Sequence, residues 1–203
     1  MMRQSIALAL GAVFASACMA AVPAGKPRGE PARSEPLEVP RLVPLKNAGF
    51  ESAPRSGERC PEHWGCTMHA DPDSFRFSLD RAAPAEGKQS LCIERVTNEP
   101  WSLATQAVDA VALRGAKLRF SLAVRVDRAA GPGGGPFLIV HGPTGNLAHE
   151  ERLVARTDGW QRIAVDFSVA SAAQIVEIGA TLQGDGRVCV DDARLEFSPP
   201  AKP

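Results

Sequence analysis

From Asn47 onward, apolar and polar residues alternate in short runs separated by Gly, Pro, Asn and Asp, the period of two that marks half-buried β-strands. The clearest run is Lys117 to Val126, where Leu118, Phe120, Leu122, Val124 and Val126 share one face and Lys117, Arg119, Ser121 and Arg125 share the other. Ile163, Val165, Phe167 and Val169 repeat the pattern, as do Phe75, Phe77 and Leu79. A further strand is predicted from Ile175 to Leu182, with Val176, Ile178, Ala180 and Leu182 inward. The segment from Trp101 to Leu113 fits two readings, because Trp101, Ala104, Val108 and Val111 also fall on one helical face. Gly131 to Pro136 holds four glycines and two prolines and predicts a flexible loop between strands. The pattern as a whole is that of an all-β protein, a sandwich or a barrel, with no internal repeat.

The N-terminus has a different texture. Met1, Met2 and Arg3 precede an apolar run from Ile6 to Phe14 and then Ala15, Ser16 and Ala17 before Cys18. That is the grammar of a secretory signal over residues 1–17, too short to remain as a membrane span. Two processing routes fit: Ala15 and Ala17 suit ordinary signal cleavage, and Cys18 directly after them suits lipid attachment, although a lipidation site usually carries a larger aliphatic where Ala15 stands. Residues 18–44 are rich in Pro, Ala, Gly and mixed charge, with Pro at 23, 27, 31, 36, 40 and 44, and predict a stiff extended tether. Residues 45–198 remain for one folded domain and 199–203 for a tail. A domain of about 160 residues buries roughly 70% of the surface its unfolded chain exposes, enough to fold without a partner.

Charge and composition narrow the function. Lys plus Arg and Asp plus Glu are equal at 23 each, so no net field draws the chain to nucleic acid or to an anionic membrane, and contact with a membrane is expected only through a lipid at Cys18. No nucleophile elbow, zinc-protease helix or phosphate loop is present. His141 and His149 flank a Gly-Pro-Thr-Gly turn with no neighbouring nucleophile and read as solvated loop histidines. With no Tyr and three Trp, the chain is lean in residues that stack on ligands. Setting Cys18 aside leaves Cys60, Cys66, Cys92 and Cys189, which in an oxidising compartment allow two disulfides in three connectivities. Cys60, His63, Cys66 and His69 recur every third residue, but four ligands within ten residues leave little chain to close a zinc tetrahedron. A Cys60–Cys66 bridge holding the Trp64 loop is the plainer account, worth about 2 kcal/mol in the chain-entropy view.

Taken in order, Asn47-Ala48-Gly49-Phe50-Glu51, Pro61-Glu62-His63-Trp64, Gly87 to Ile93, Gln106, Leu113-Arg114-Gly115, Ser121 with Arg125, Asp158 to Ile163 and Val188 to Leu195 resemble the jelly-roll carbohydrate-binding modules of families four and nine, within the galactose-binding-like superfamily. The resemblance covers Leu45 to Phe197. It implies a two-sheet antiparallel β-sandwich without catalytic residues, binding a glycan on its concave face or loop tips. It also implies that Cys92 and Cys189 lie on neighbouring strands; a bridge there would contribute about 4.7 kcal/mol by loop closure. A structural calcium ion is implied as well, held by Glu51 and Asp191, with Asp192 as substitute.

The residues point to the same place independently. Val188 and Val190 alternate in one phase and Ala193, Leu195 and Phe197 in the other, so a bulge is expected at Asp191-Asp192, putting a carboxylate at the core's edge where it needs a cation or donors. Capping by backbone N–H groups or by Arg194 is the alternative to calcium. The resemblance implies a structural role for Trp160, covering the core at a turn entering a strand, while Trp64 and Trp101 are the candidate sugar platforms. The expected function is an exported, non-catalytic module binding envelope or environmental polysaccharide. The alternative is an envelope protein-interaction scaffold that has lost its sugar platform.

Overall fold

The structure is a computed structural model describing residues 39–199. The signal segment, Cys18 and most of the tether lie outside the described residues. Among the described residues nine strands follow one another: β1 (Arg41–Val43), β2 (Gly65–Met68), β3 (Phe75–Asp80), β4 (Ser90–Arg95), β5 (Trp101–Asp109), β6 (Lys117–Gly142), β7 (Gly145–Glu151), β8 (Gln161–Ser168) and β9 (Ile175–Ser198), with one 3-10 turn at Val111–Leu113.

Strands β6 and β9 are long enough to serve two layers, and they pair with each other in both. In the first layer Lys117–Val126 lies between β8 and the second half of β9, which in turn pairs with β4 and, further along, with β1; β3 closes that side. In the second layer the order is β7, the second half of β6, the first half of β9, β5 and β2, again all antiparallel. The β6–β9 register slips between Val126 and Ala129 and between Ala130 and Gly133, where the ladder turns from one layer into the other. The result is the two-sheet antiparallel β-sandwich that the resemblance implied.

The inward phase fills the space between the layers. Leu118, Phe120, Leu122, Val124, Val126, Val188, Val190 and Ile93 of the first layer meet Leu138, Val140, Val176, Ile178, Ala180 and Leu182 of the second, all buried. At roughly 1.5–3 kcal/mol for each large side chain taken from water, this pairing of faces dominates the fold's stability. The expected bulge is present: Ser121 faces Arg194 and Ala123 faces Asp191, so β9 carries one more residue than β6 there. Cys92 stands directly opposite Cys189, and the two are bridged, as are Cys60 and Cys66.

One open reading is settled and two local expectations change. Trp101 to Asp109 forms a strand, not a helix, because nine consecutive rungs with β9 outweigh the helical preference of its alanines. Arg41–Val43, assigned to the tether, pairs with Leu195–Phe197, so the ordered domain begins before Leu45. Most of the glycine-rich stretch is strand and not loop. At Gly133 and Gly135 an added Cβ would come within 2.0 Å of the Val154 carbonyl oxygen and 2.1 Å of the Arg152 carbonyl oxygen, respectively; the glycines let segment 152–155 pass directly against β6. Gly135→Ala is therefore expected to lower stability by about 1–3 kcal/mol, measured as a reduced denaturant midpoint, and an unchanged midpoint would show that the segment moves away freely.

Candidate functional site

Because Val176, Ile178, Ala180 and Leu182 point into the core, Ile175, Glu177, Gly179, Thr181 and Gln183 face away from it. Register carries that phase across the layer, aligning Trp101 with Gln183, Leu103 with Thr181, Phe137 with Gly179 and Glu151, and Ile139 with Glu177 and His149. These residues hollow the second layer's outer side into a groove of about 260 Å³, lined by Trp101, Leu103, Phe137, Ile139, His149, Glu151, Thr181 and Gln183. Phe137 and Thr181 form a buried floor, at 1% and 0% exposure. Trp101 is half-buried with its ring edge-on to His69, centroids 5.8 Å apart. The Gln183 amide donates to Glu151 at 2.8 Å, and His141 meets Glu177 at 2.9 Å. The Thr181 hydroxyl is buried with no hydrogen-bond partner among the described residues. The site therefore has an apolar floor, one indole wall and a polar rim.

Of the two candidate platforms, Trp101 lies in this groove and Trp64 does not. Trp64 is only 6% exposed, its ring packs 4.8 Å from Phe50, and its indole N–H donates to the Asn47 carbonyl. The Cys60–Cys66 loop thus folds this indole into the core instead of presenting it. Trp160, expected over the core, lies instead on the outer side of the first layer, where its N–H donates to the Ala83 carbonyl and the Arg125 guanidinium lies 4.9 Å over the ring. His141 and His149 belong to β6 and β7 on either side of the hairpin, so they face the groove side and are not loop residues. Sequence reasoning missed Phe137 because the glycines before it read as a loop. The polar phase of the Ile175–Leu182 strand was the one available signal for Thr181.

Glu51, Asp191 and Asp192 each meet N–H donors. Asp191 is fully buried and accepts from the backbone N–H groups of Ala85 and Glu86 at 3.0 Å and of Asp192 at 2.8 Å. Burial pushes its carboxyl above the usual range, opposed by those three hydrogen bonds. Glu51 accepts from Lys88 N–H at 2.8 Å, and the carbonyls of Phe50 and Glu51 are taken by the Gln89 amide. Asp192 is gripped by Arg194 and Arg162, which hold its carboxyl below the usual range despite its desolvation. Calcium requires free oxygens directed at a common point; here the 85–88 turn presents N–H dipoles, and these residues do not fit the ion. Nor do Cys60 and Cys66 offer zinc ligands, since they are bonded to each other.

No protein-family model and no curated protein sequence matches the chain. Solved structures do. The enzymatically active domain of bacteriophage CBA120 tailspike protein 4 superposes with a TM-score of 0.59 at 12% identity over 76% of this chain, which spans 21% of that one. The CBM22-1 xylan-binding domain of Paenibacillus barcinonensis Xyn10C matches with a TM-score of 0.53 at 12% identity, covering 76% of this chain and 94% of that one. A structure described as a family four carbohydrate-binding module gives 0.51 at 16% identity, covering 76% of this chain and all of that one. At these identities the likeness establishes the fold: a jelly-roll sandwich of the carbohydrate-binding-module type.

The N–H cage around Asp191 predicts that EDTA leaves the melting temperature unchanged. Asp191→Ala strands three backbone donors and should cost about 1–3 kcal/mol whether or not calcium is present. A melting temperature that falls on chelation and recovers with calcium would contradict this reading.

Proposed function

We propose that this chain is an exported, non-catalytic module that holds a polysaccharide of the cell envelope or its surroundings in the groove of the second layer. The carrying observation is the half-buried Trp101 beside the Gln183–Glu151 pair and above a buried apolar floor. An indole face covers the C–H face of a pyranose, while the amide and carboxylate fix hydroxyls at its rim. The jelly-roll likeness to modules described as xylan-binding supports the reading, and the signal-like opening of the sequence supports export, with Cys18 and the tether as the means of holding the module at the membrane.

The groove asks little of the protein in rearrangement. Its residues sit on strands whose other faces are locked into the core, so a sugar chain meets a preformed surface and the ordering cost of binding is small. One observation favours a second reading: with Trp64 buried, a single indole remains in the groove, a modest platform for a glycan. An envelope protein-interaction scaffold fits that shortage.

Pull-down with a panel of insoluble polysaccharides and peptidoglycan, together with titration of intrinsic Trp fluorescence, separates the two. Saturable binding that weakens about tenfold or more, roughly 1.4 kcal/mol, in Trp101→Ala is the expected result, with Trp64→Ala acting through stability alone. Absence of binding to every member would move the assignment to the scaffold.

A further inference from the structure

The chain as a whole is neutral, yet the groove side of the second layer is acidic. Along the strand positions that face this side, from β2 through β5, β9 and β6 to β7, the charged residues are Asp109, Glu151 and Glu177, with no Lys or Arg among them. A fourth carboxylate, Glu99, is bonded at 2.8 Å to His69, whose ring meets Trp101. The partners that position Glu151, Glu177 and Glu99 are Gln183 and histidines. None of these partners is a Lys or Arg, and a histidine offsets a carboxylate only when protonated.

A second observation comes from the floor. Thr181 projects from β9, a central strand of the layer, into the groove, and its hydroxyl is buried without a partner among the described residues. An unpaired buried hydroxyl is destabilising, a cost that a ligand hydroxyl or amine brought against it removes. The groove therefore offers a hydrogen-bonding point on its floor, the Glu151 carboxylate on its wall and further carboxylates on the same side of the layer.

Resting on the glycan reading above, we infer that the groove selects polysaccharides bearing free amino groups, the de-N-acetylated hexosamine class. A protonated amine gains from Glu151 and Glu177 in a partly enclosed site, where charge interactions exceed those in bulk water. An N-acetylated sugar gives up that interaction, and a uronic acid is repelled by it. Neutral sugars keep the stacking on Trp101 and nothing more.

The test is calorimetric titration of the protein with four hexamers near neutral pH: glucosamine, N-acetylglucosamine, xylose and galacturonic acid. The glucosamine hexamer is expected to bind at least about tenfold tighter than the others. That preference should shrink to about twofold in a Glu151→Gln, Glu177→Gln double variant and in roughly 0.5 M salt, while Trp101→Ala weakens every hexamer that binds. Equal or tighter binding of the acetylated, neutral or acidic hexamer, still dependent on Trp101, overturns the inference and leaves the groove as a glycan site. Glucosamine binding that ignores both the Trp101 and the glutamate variants is non-specific polycation adsorption and overturns it too. Failure of all four hexamers to bind removes the glycan reading along with the inference.

Discussion

Everything in this fold depends on the pairing of β6 with β9. The two strands run antiparallel through both layers, interrupted by the bulge at Asp191-Asp192 and where the ladder bends from one layer to the other, so each layer is built outward from the same two segments. This makes the sandwich one continuous ladder instead of two sheets held by apolar contact alone, and it fixes the side chains of the two layers in one register. The groove inherits that rigidity. Thr181 and Gln183 come from β9, Phe137 and Ile139 from β6, and the remaining strands add Trp101, Leu103, His149 and Glu151 along rungs those two have already set. A slip of one residue would turn the floor of the groove into the core and expose the core to water.

Carboxylates serve opposite ends in the two layers. In the first, Asp191 is withdrawn from water and surrounded by the N–H groups of the 85–88 turn and of its own neighbour, so its charge organises a loop. Asp80 behaves similarly: the Ala82 N–H first, and then Arg187 and Arg125, hold its carboxyl below the usual range despite burial. Cys92 and Cys189 lie beside this cluster and tie β4 to β9 across the layer. These anions are spent internally. Those of the groove are positioned by Gln183 and histidines with no Lys or Arg beside them, a division that a balanced total charge conceals.

Alternation made most of the strands legible. Leu118 to Val126 and Val176 to Leu182 declared both their structure and their buried face, and the phase change after Val190 located the bulge at Asp191-Asp192. The paired cysteines could be placed once the resemblance supplied the neighbouring strands. What escaped was set by distant approach. The composition of Gly131 to Pro136 fits a loop, and only the passage of segment 152–155 against it makes it strand. Trp64 sits in a polar sequence but is drawn inside by Phe50 and Asn47. The carboxylates near Gly87 suited calcium by type, and backbone direction, which residue identity does not encode, decided that donors face them. The acidity of the groove needed register, since its charges come from three separate strands.

The central claim is that ligand meets the groove side of the second layer. Amide chemical-shift mapping of the isotope-labelled protein, titrated with a saturating sugar hexamer, tests it most directly. The account predicts the largest shifts along Trp101 to Thr105, Phe137 to Ile139, His149 to Glu151 and Thr181 to Gln183. Shifts confined to the opposite side of the sandwich, around Ala83, Arg125 and Trp160, would contradict it.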